Sequence, residues 1–241
     1  LTQYGFKRAE TVWCGINWGD ALYIKEKPVI KVELPQMFKP KKGTKKTKID
    51  KVFYINLETR KDRKENITSR LAKVGLKATR FEAKTGNDLE LPNDGNLNAG
   101  MIGCFNSHVA LWKKILDAET LNNVLILEDD AVFADNFNHI LDIALSELPE
   151  DYDMLYLGAS EDNAPFRLKT DEFQVVCPAD HQWRTHAYIV NRKVLPRLIE
   201  KASKMYAAID QVLVDMQPYI QSYATMPYIV SWDDSKSDIQ E

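Results

Sequence analysis

Apolar and polar positions change rhythm repeatedly along this chain. Val52, Phe53, Tyr54 and Ile55 follow one another without a polar break, the pattern of a strand covered on both faces. Ile67, Leu71 and Val74 then share one helical face, and Gly75 is a stop signal. Thr59, with Asp62 three residues on, resembles a capping box at the start of that helix. TRFEA reads as a second short strand, and the Gly-, Asn- and Asp-rich stretch 86–100 as a loop. A helix with Val109, Trp112, Ile115 and Leu116 on one side follows, then the strand NVLIL, a helix near 136–147 and the strand DMLYLG. AYIV predicts a strand, residues 192–204 and Ile209 to Met216 predict helices, and PYIVSW predicts a last strand. This alternation predicts an α/β fold, a central sheet flanked by helices, over residues 51–241.

Residues 1–50 differ in character. Trp13, Trp18, Tyr23 and the run YIKEKPVIKVEL read as a β-rich extension, and KPKKGTKKTKIDK has almost nothing apolar. Like-charge repulsion makes the latter a solvated linker or exposed loop; the alternative is a patch that docks a polyanion.

The stretch VLILEDDAVF poses the chemical question. Four aliphatic residues lead into Glu128, Asp129 and Asp130, although adjacent carboxylates repel and are costly to bury. In α/β sheets ligands bind beyond the carboxyl ends of the strands, which puts the three acids at the ligand edge. One reading is a turn or a cap for the next helix. The other is a site for a hard divalent cation, Mg²⁺ or Mn²⁺, which prefers carboxylate oxygens and takes the rest of its shell from water and phosphates.

Bulk properties narrow the field. The 241 residues are 44% hydrophobic and 28% charged with a formal net charge of -3, so nothing global points to nucleic acid. No apolar run approaches the ~20 residues of a membrane span. No targeting segment is visible in a chain that begins at Leu1. Cys14, Cys104 and Cys177 form neither a disulfide framework nor a zinc pattern, which favours a reducing compartment such as the cytoplasm. Oligomeric state is not legible.

Several stretches, in order, resemble glycosyltransferase family 25: FYINLETRKDR, RFEAKTG, GMIGCFNSH, VLILEDDAVF, LYLG, THAYIVNRK, AIDQVL and KSDI. That family includes bacterial lipopolysaccharide sugar transferases and the collagen hydroxylysine galactosyltransferases. The resemblance covers residue 51 to the end and implies a GT-A-type fold with a mostly parallel sheet. It also implies a UDP-sugar donor, Mn²⁺ (or Mg²⁺) held against the donor diphosphate, and inverting transfer of galactose or glucose. The acceptor would be a hydroxyl of a glycan or protein, with the ER lumen as the location if it is collagen.

On that resemblance Glu128 and Asp130 face nucleotide and metal, with Asp129 beside them on the donor. Arg60 and Arg63 contact the nucleotide, since the arginine fork suits a diphosphate, against the alternative of a solvated helix start. Asn56 and Leu57 line the base pocket through the backbone. Ala83 and Gly86 pass over the nucleoside, where Gly86 lets the backbone come close. Gly103, Ser107 and His108 form a donor-site wall; on chemistry alone Ser107 is an N-cap and His108 a packed first-turn residue. Cys104 reads as a small apolar residue. Asp210 is the base that takes the acceptor proton, or else an N-cap. His186 is a further metal ligand or acceptor contact, or a satisfied structural histidine. Asp233, Asp234 and Asp238 close over the site or add a ligand.

Two other classes remain open: a binding module that keeps the fold without turnover, and a metal-dependent phospho- or nucleotidyltransferase. No phosphate loop of the G-x-x-x-x-G-K type supports the last.

Overall fold

In the computed structural model the described residues are Phe6–Trp13 and Gly19–Lys25, for their backbone, and 43–86, 97–160, 175–179 and 181–233 in full. The sequence readings at 26–42, at 87–96 and at Asp234 and Asp238 lie outside them. The chain forms two units, Leu1–Pro40 and Lys41–Glu241. The first holds β1 (Phe6–Trp13) and β2 (Gly19–Lys25), an antiparallel pair.

The second unit runs β3 (Lys51–Asn56), α1 (Lys61–Lys73), β4 (Thr79–Glu82), α2 (Ala99–Asp117), β5 (Asn123–Glu128), β6 (Ala131–Phe133) and α3 (Phe137–Glu147). It continues with β7 (Met154–Tyr156), β8 (Val176–Pro178), β9 (Ala187–Asn191), α4 (Leu195–Lys201), α5 (Ile209–Met216), β10 (Ser222–Thr225) and β11 (Val230–Trp232). Seven of these strands make a mixed sheet in the order β4-β3-β5-β9-β7-β10-β8. β4, β3, β5, β7 and β10 share one direction, and β9 and β8 run against them.

Why the strands lack polar interruptions is visible in the packing. Val52 and Tyr54 of β3 and Leu125 and Leu127 of β5 face a core closed by Ile67 and Leu71 of α1 and Phe137 and Leu141 of α3. Their neighbours Phe53, Ile55, Val124 and Ile126 face the opposite core, closed by Phe105 and Trp112 of α2, Leu198 of α4 and Leu213 of α5. Both faces are covered, so period-2 alternation disappears. Each such aliphatic side chain fully removed from water contributes ~1.5–3 kcal/mol.

Local signals played out unevenly. Gly75 sits at φ 70°, and the N–H groups of Leu76 and Gly75 bond to Leu71 and Ala72 carbonyls, a Schellman stop for α1. The capping box did not form: Arg60, not Thr59, occupies the N-cap and caps with no side-chain bond. Helix α2 starts at Ala99 on an Asn98 cap that accepts from Met101 N–H at 2.8 Å, so Gly103 and Ser107 lie inside it rather than at its opening. From Gly43 on, the lysine-rich stretch lies along the second unit, with Thr47 N–H bonded to Leu145 O and Lys46 paired with Asp142. No helix among the described residues is long and apolar enough to cross a membrane.

Candidate active site

The carboxyl ends of β3, β4 and β5 are in register, Asn56 opposite Glu82 and Ile55 opposite Glu128. The antiparallel β9 brings its beginning to the same edge, where Glu128 N–H bonds to His186 O at 2.9 Å. A cavity of about 420 Å³ opens there, walled by Glu128, Asp130, His186 and Asp210 among the expected residues. Met101 and Cys104 of α2 and the segment Trp183 to Thr185 complete much of the wall.

The three acids diverge. Asp129 turns into the protein, accepting from Asn56 Nδ2 at 2.8 Å and from Arg63 at 2.9 Å. Arg63 is 7% exposed and also lies 3.8 Å from Asp130. Arg80 donates to the Asn56 side chain and carbonyl, so Asn56 is itself locked. Burial pushes the Asp129 carboxyl up, against the pull of Asn56 and Arg63. Glu128 and Asp130 face the cavity. Burial and the neighbouring Glu128 push Asp130 up, while Glu128, despite burial, is held low by hydrogen bonds from His108 and Thr185.

A row of buried groups stands behind Glu128. Trp112 Nε1, which can only donate, reaches the Tyr188 hydroxyl at 2.9 Å, and that hydroxyl lies 2.9 Å from His108 Nδ1. Every group is satisfied when Tyr188 donates to Nδ1 and His108 Nε2–H donates to Glu128 Oε1 at 3.3 Å. Cys104, His108 and Glu128 bring potential ligand atoms within 4.8 Å of one another. Within that trio His108 Nε2 lies within hydrogen-bond distance of Glu128 Oε1, and burial pushes the Cys104 thiol well up.

Two buried polar atoms on the cavity residues have no hydrogen-bond partner among the described residues: Asp130 Oδ1 and His186 Nδ1. The other nitrogen of His186 meets Val230 O at 3.2 Å, and burial pushes the imidazole down, toward its neutral form. Asp210 lies in the first turn of α5, where Gln211 N–H reaches its carboxylate at 2.9 Å. Burial, and then Glu128, push Asp210 up against that bond.

These features can be set beside known proteins. Residues 49–213 match the profile of glycosyltransferase family 25 (LPS biosynthesis protein). The chain belongs to glycosyltransferase family 25. A procollagen lysyl hydroxylase and glycosyltransferase of Acanthamoeba polyphaga mimivirus is 32% identical over 167 residues, 59% of this chain and 18% of that protein. Human procollagen galactosyltransferase 2 is 27% identical over 177 residues, 62% of this chain and 27% of the relative. The human inactive glycosyltransferase 25 family member 3 is 27% identical over 170 residues, 62% of this chain and 28% of the relative. The chain thus spans under a third of the length of these three relatives. Among solved structures, a glycosyltransferase involved in the glycosylation of the major capsid of PBCV-1 aligns at a TM-score of 0.45 and 10% identity, over 72% of this chain and 80% of that one.

Within this family 25 chain the other expected residues sit away from the cavity wall. Arg60 is paired with Asp62, and Leu57 O accepts from Arg60 N–H in the turn after β3. Ala83, Gly86, Gly103 and Ser107 act together in a strand–helix contact. Lys84 N–H donates to Ser107 Oγ at 2.8 Å, and a Cβ on Gly86 would stand 1.8 Å from Ala99 O. Gly103 is less tight but still without room, since a Cβ there would stand 2.7 Å from Lys84 O. Gly86 does permit a close approach, to helix α2. Asp233 is paired with Arg70 at 2.6 Å, and its N–H bonds to Asp130 O. Sequence reading missed Trp183, Arg184, Thr185 and Trp232. The signal available was HQWRTH, a bulky aromatic and an arginine between polar residues just before a strand.

Proposed function

We propose that the chain transfers a hexose, galactose or glucose, from a UDP-sugar to a hydroxyl of a glycan or hydroxylysine-type acceptor, with inversion and with Mn²⁺ or Mg²⁺ bound. The observation that carries this reading is the unpartnered Asp130 Oδ1 and His186 Nδ1, buried beside the Glu128 carboxylate at the edge of one cavity. Buried polar atoms without partners cost ~1–3 kcal/mol each, and two carboxylates with one neutral imidazole suit a hard-to-borderline divalent cation. Glu128, Asp130 and His186 would hold it; when bound, it supplies Lewis-acid neutralisation of charge on a departing diphosphate.

The remaining chemistry belongs to side chains. His108 and Thr185 hold Glu128 ionised and fixed. Asp210, on another wall of the cavity, is a stronger base than a free aspartate because its ionised form is disfavoured. It takes the proton of the acceptor hydroxyl as that oxygen bonds to the anomeric carbon. The bond from that carbon to the diphosphate oxygen breaks, and its electron pair leaves on the diphosphate. Asp129, turned inward to Arg63 and Asn56, orients the turn that carries the other two acids.

A UDP-release assay over a panel of donors and acceptors, with and without Mn²⁺, tests the proposal. Turnover should require the cation and fall ~10²–10⁴-fold in Asp210→Asn, with UDP binding retained. A chain that binds no UDP-sugar in the presence of Mn²⁺ sinks it. A second reading, an inert binding module, draws on relatives of similar identity that are named inactive. It expects Mn²⁺-dependent UDP binding with no release on any donor–acceptor pair.

A further inference from the structure

The two arginines expected to meet the donor, Arg60 and Arg63, are taken, as are their neighbours Arg70 and Arg80. Arg60 is paired with Asp62, Arg63 with Asp129, Arg70 with Asp233 and Arg80 with Glu58. Among the described residues walling the cavity one cation remains, Arg184. It is exposed, and its guanidinium carbon lies 3.8 Å from the centre of the Trp232 ring. Among the described residues no ion pair engages its side chain, while Glu128, Asp130 and Asp210 share the same cavity and Asp210 is hydrogen-bonded to the Arg184 main-chain N–H.

Two further features show that this placement is built. Arg184 has φ 78°, a left-handed backbone that a long side chain adopts only at a cost and that clusters at ligand sites. Trp232, which supports it, is set by β11, paired with β6 directly after the acids, Trp232 opposite Ala131. The Trp232 ring also meets His186 edge-on at 5.4 Å. Stacking on indole holds the guanidinium plane, so less freedom is lost when the fork is used. A fixed fork with no side-chain carboxylate partner among the described residues, in a cavity that also holds three acids, suits a group carrying two or more negative charges. A neutral sugar hydroxyl has no use for it.

We propose that Arg184, held on Trp232, grips the diphosphate of the nucleotide donor and stabilises it as it departs. This rests on the donor-site reading above. The guanidinium faces charge that grows as the glycosidic bond breaks, where a fixed cation lowers the barrier most. The acids with their cation and Arg184 then bracket the diphosphate from different walls.

Binding of inorganic pyrophosphate and of UDP, each with saturating Mn²⁺, should be measured by calorimetry for the wild-type chain, Arg184→Gly and Arg184→Lys. Glycine suits φ 78° and keeps the main-chain N–H, so this variant should melt within ~4 °C of the wild type. Its pyrophosphate and UDP affinities should fall ~10–100-fold, while the thermal shift produced by Mn²⁺ alone is unchanged. Arg184→Lys should recover only part of that loss, because a point charge replaces a fork. Pyrophosphate affinity in Arg184→Gly within twofold of wild type overturns the inference, as does a change confined to the KM for acceptor. A wild-type chain that binds neither ligand with Mn²⁺ overturns the donor-site reading, and this inference with it.

Discussion

Asp130 shows how one carboxylate serves two opposed demands. Burial and Glu128 raise its proton affinity, so the fold without metal favours the protonated form more than the unfolded chain does. An acid whose folded pKa is raised binds more protons folded than unfolded, so stability without metal is lost as pH rises from the ordinary aspartate value, ~4, towards the raised one. Divalent cation should reverse that slope, since it binds the ionised form and releases the proton. Asp130→Asn should therefore stabilise the metal-free chain at neutral pH by ~1–2 kcal/mol, and abolish the rise in melting temperature caused by Mn²⁺. Melting curves at several pH values, with and without Mn²⁺, check both outcomes. A second residue-scale test concerns the row behind Glu128. Tyr188→Phe keeps the ring and removes the one hydroxyl joining Trp112 to His108. It should cost ~1–3 kcal/mol, read by denaturant unfolding, and weaken Mn²⁺ binding about tenfold as Glu128 loses its orientation.

At the scale of elements, the legible parts had strong local patterns. β3 and β5 declared themselves by unbroken apolar runs, and α5 by Ile209, Val212, Leu213 and Met216 on one face. Some short strands did not. β10 is SYAT, wholly buried although three of its four residues bear hydroxyls, because Ser222 and Thr225 find partners inside. β6 and β8 span three residues each, too few for any period to emerge, whereas the equally short β11 lies within PYIVSW and follows its apolar run. The acids could be placed at a strand end from sequence, and Asp210 at the start of a helix. That Asp129 turns away while its neighbours face the cavity depends on Asn56 and Arg63, dozens of residues distant, and no local pattern encodes it. Gly158 makes the same point. A Cβ there would stand 1.9 Å from Val230 O and 2.3 Å from His186 Nε2. Gly158→Ala should push β11 away from the cavity and cost ~1–3 kcal/mol, with a lowered melting temperature and weakened UDP–Mn²⁺ binding as the readouts.

Taken whole, the described cavity draws every wall residue from the second unit, which also contains both cores. A chain starting at Lys41 should unfold in one cooperative transition and keep Mn²⁺-dependent UDP binding within about twofold, as calorimetry on the truncated and full chains would report.

The polarity of β9 has a consequence of its own. Because that strand opposes its neighbours β5 and β7, the residues that precede it, not those that follow it, reach the edge of the cavity. Parallel strands deliver the acids there by their ends, whereas β9 delivers Arg184, Thr185 and His186 by its beginning. The acids and the opposing lip are thus written in separable pieces of sequence. Grafting the hexapeptide 181–186 from a relative, with His186 retained, is the smallest transplant that tests whether the ligand preference proposed for this cavity follows its opposing lip while Glu128 and Asp130 stay untouched.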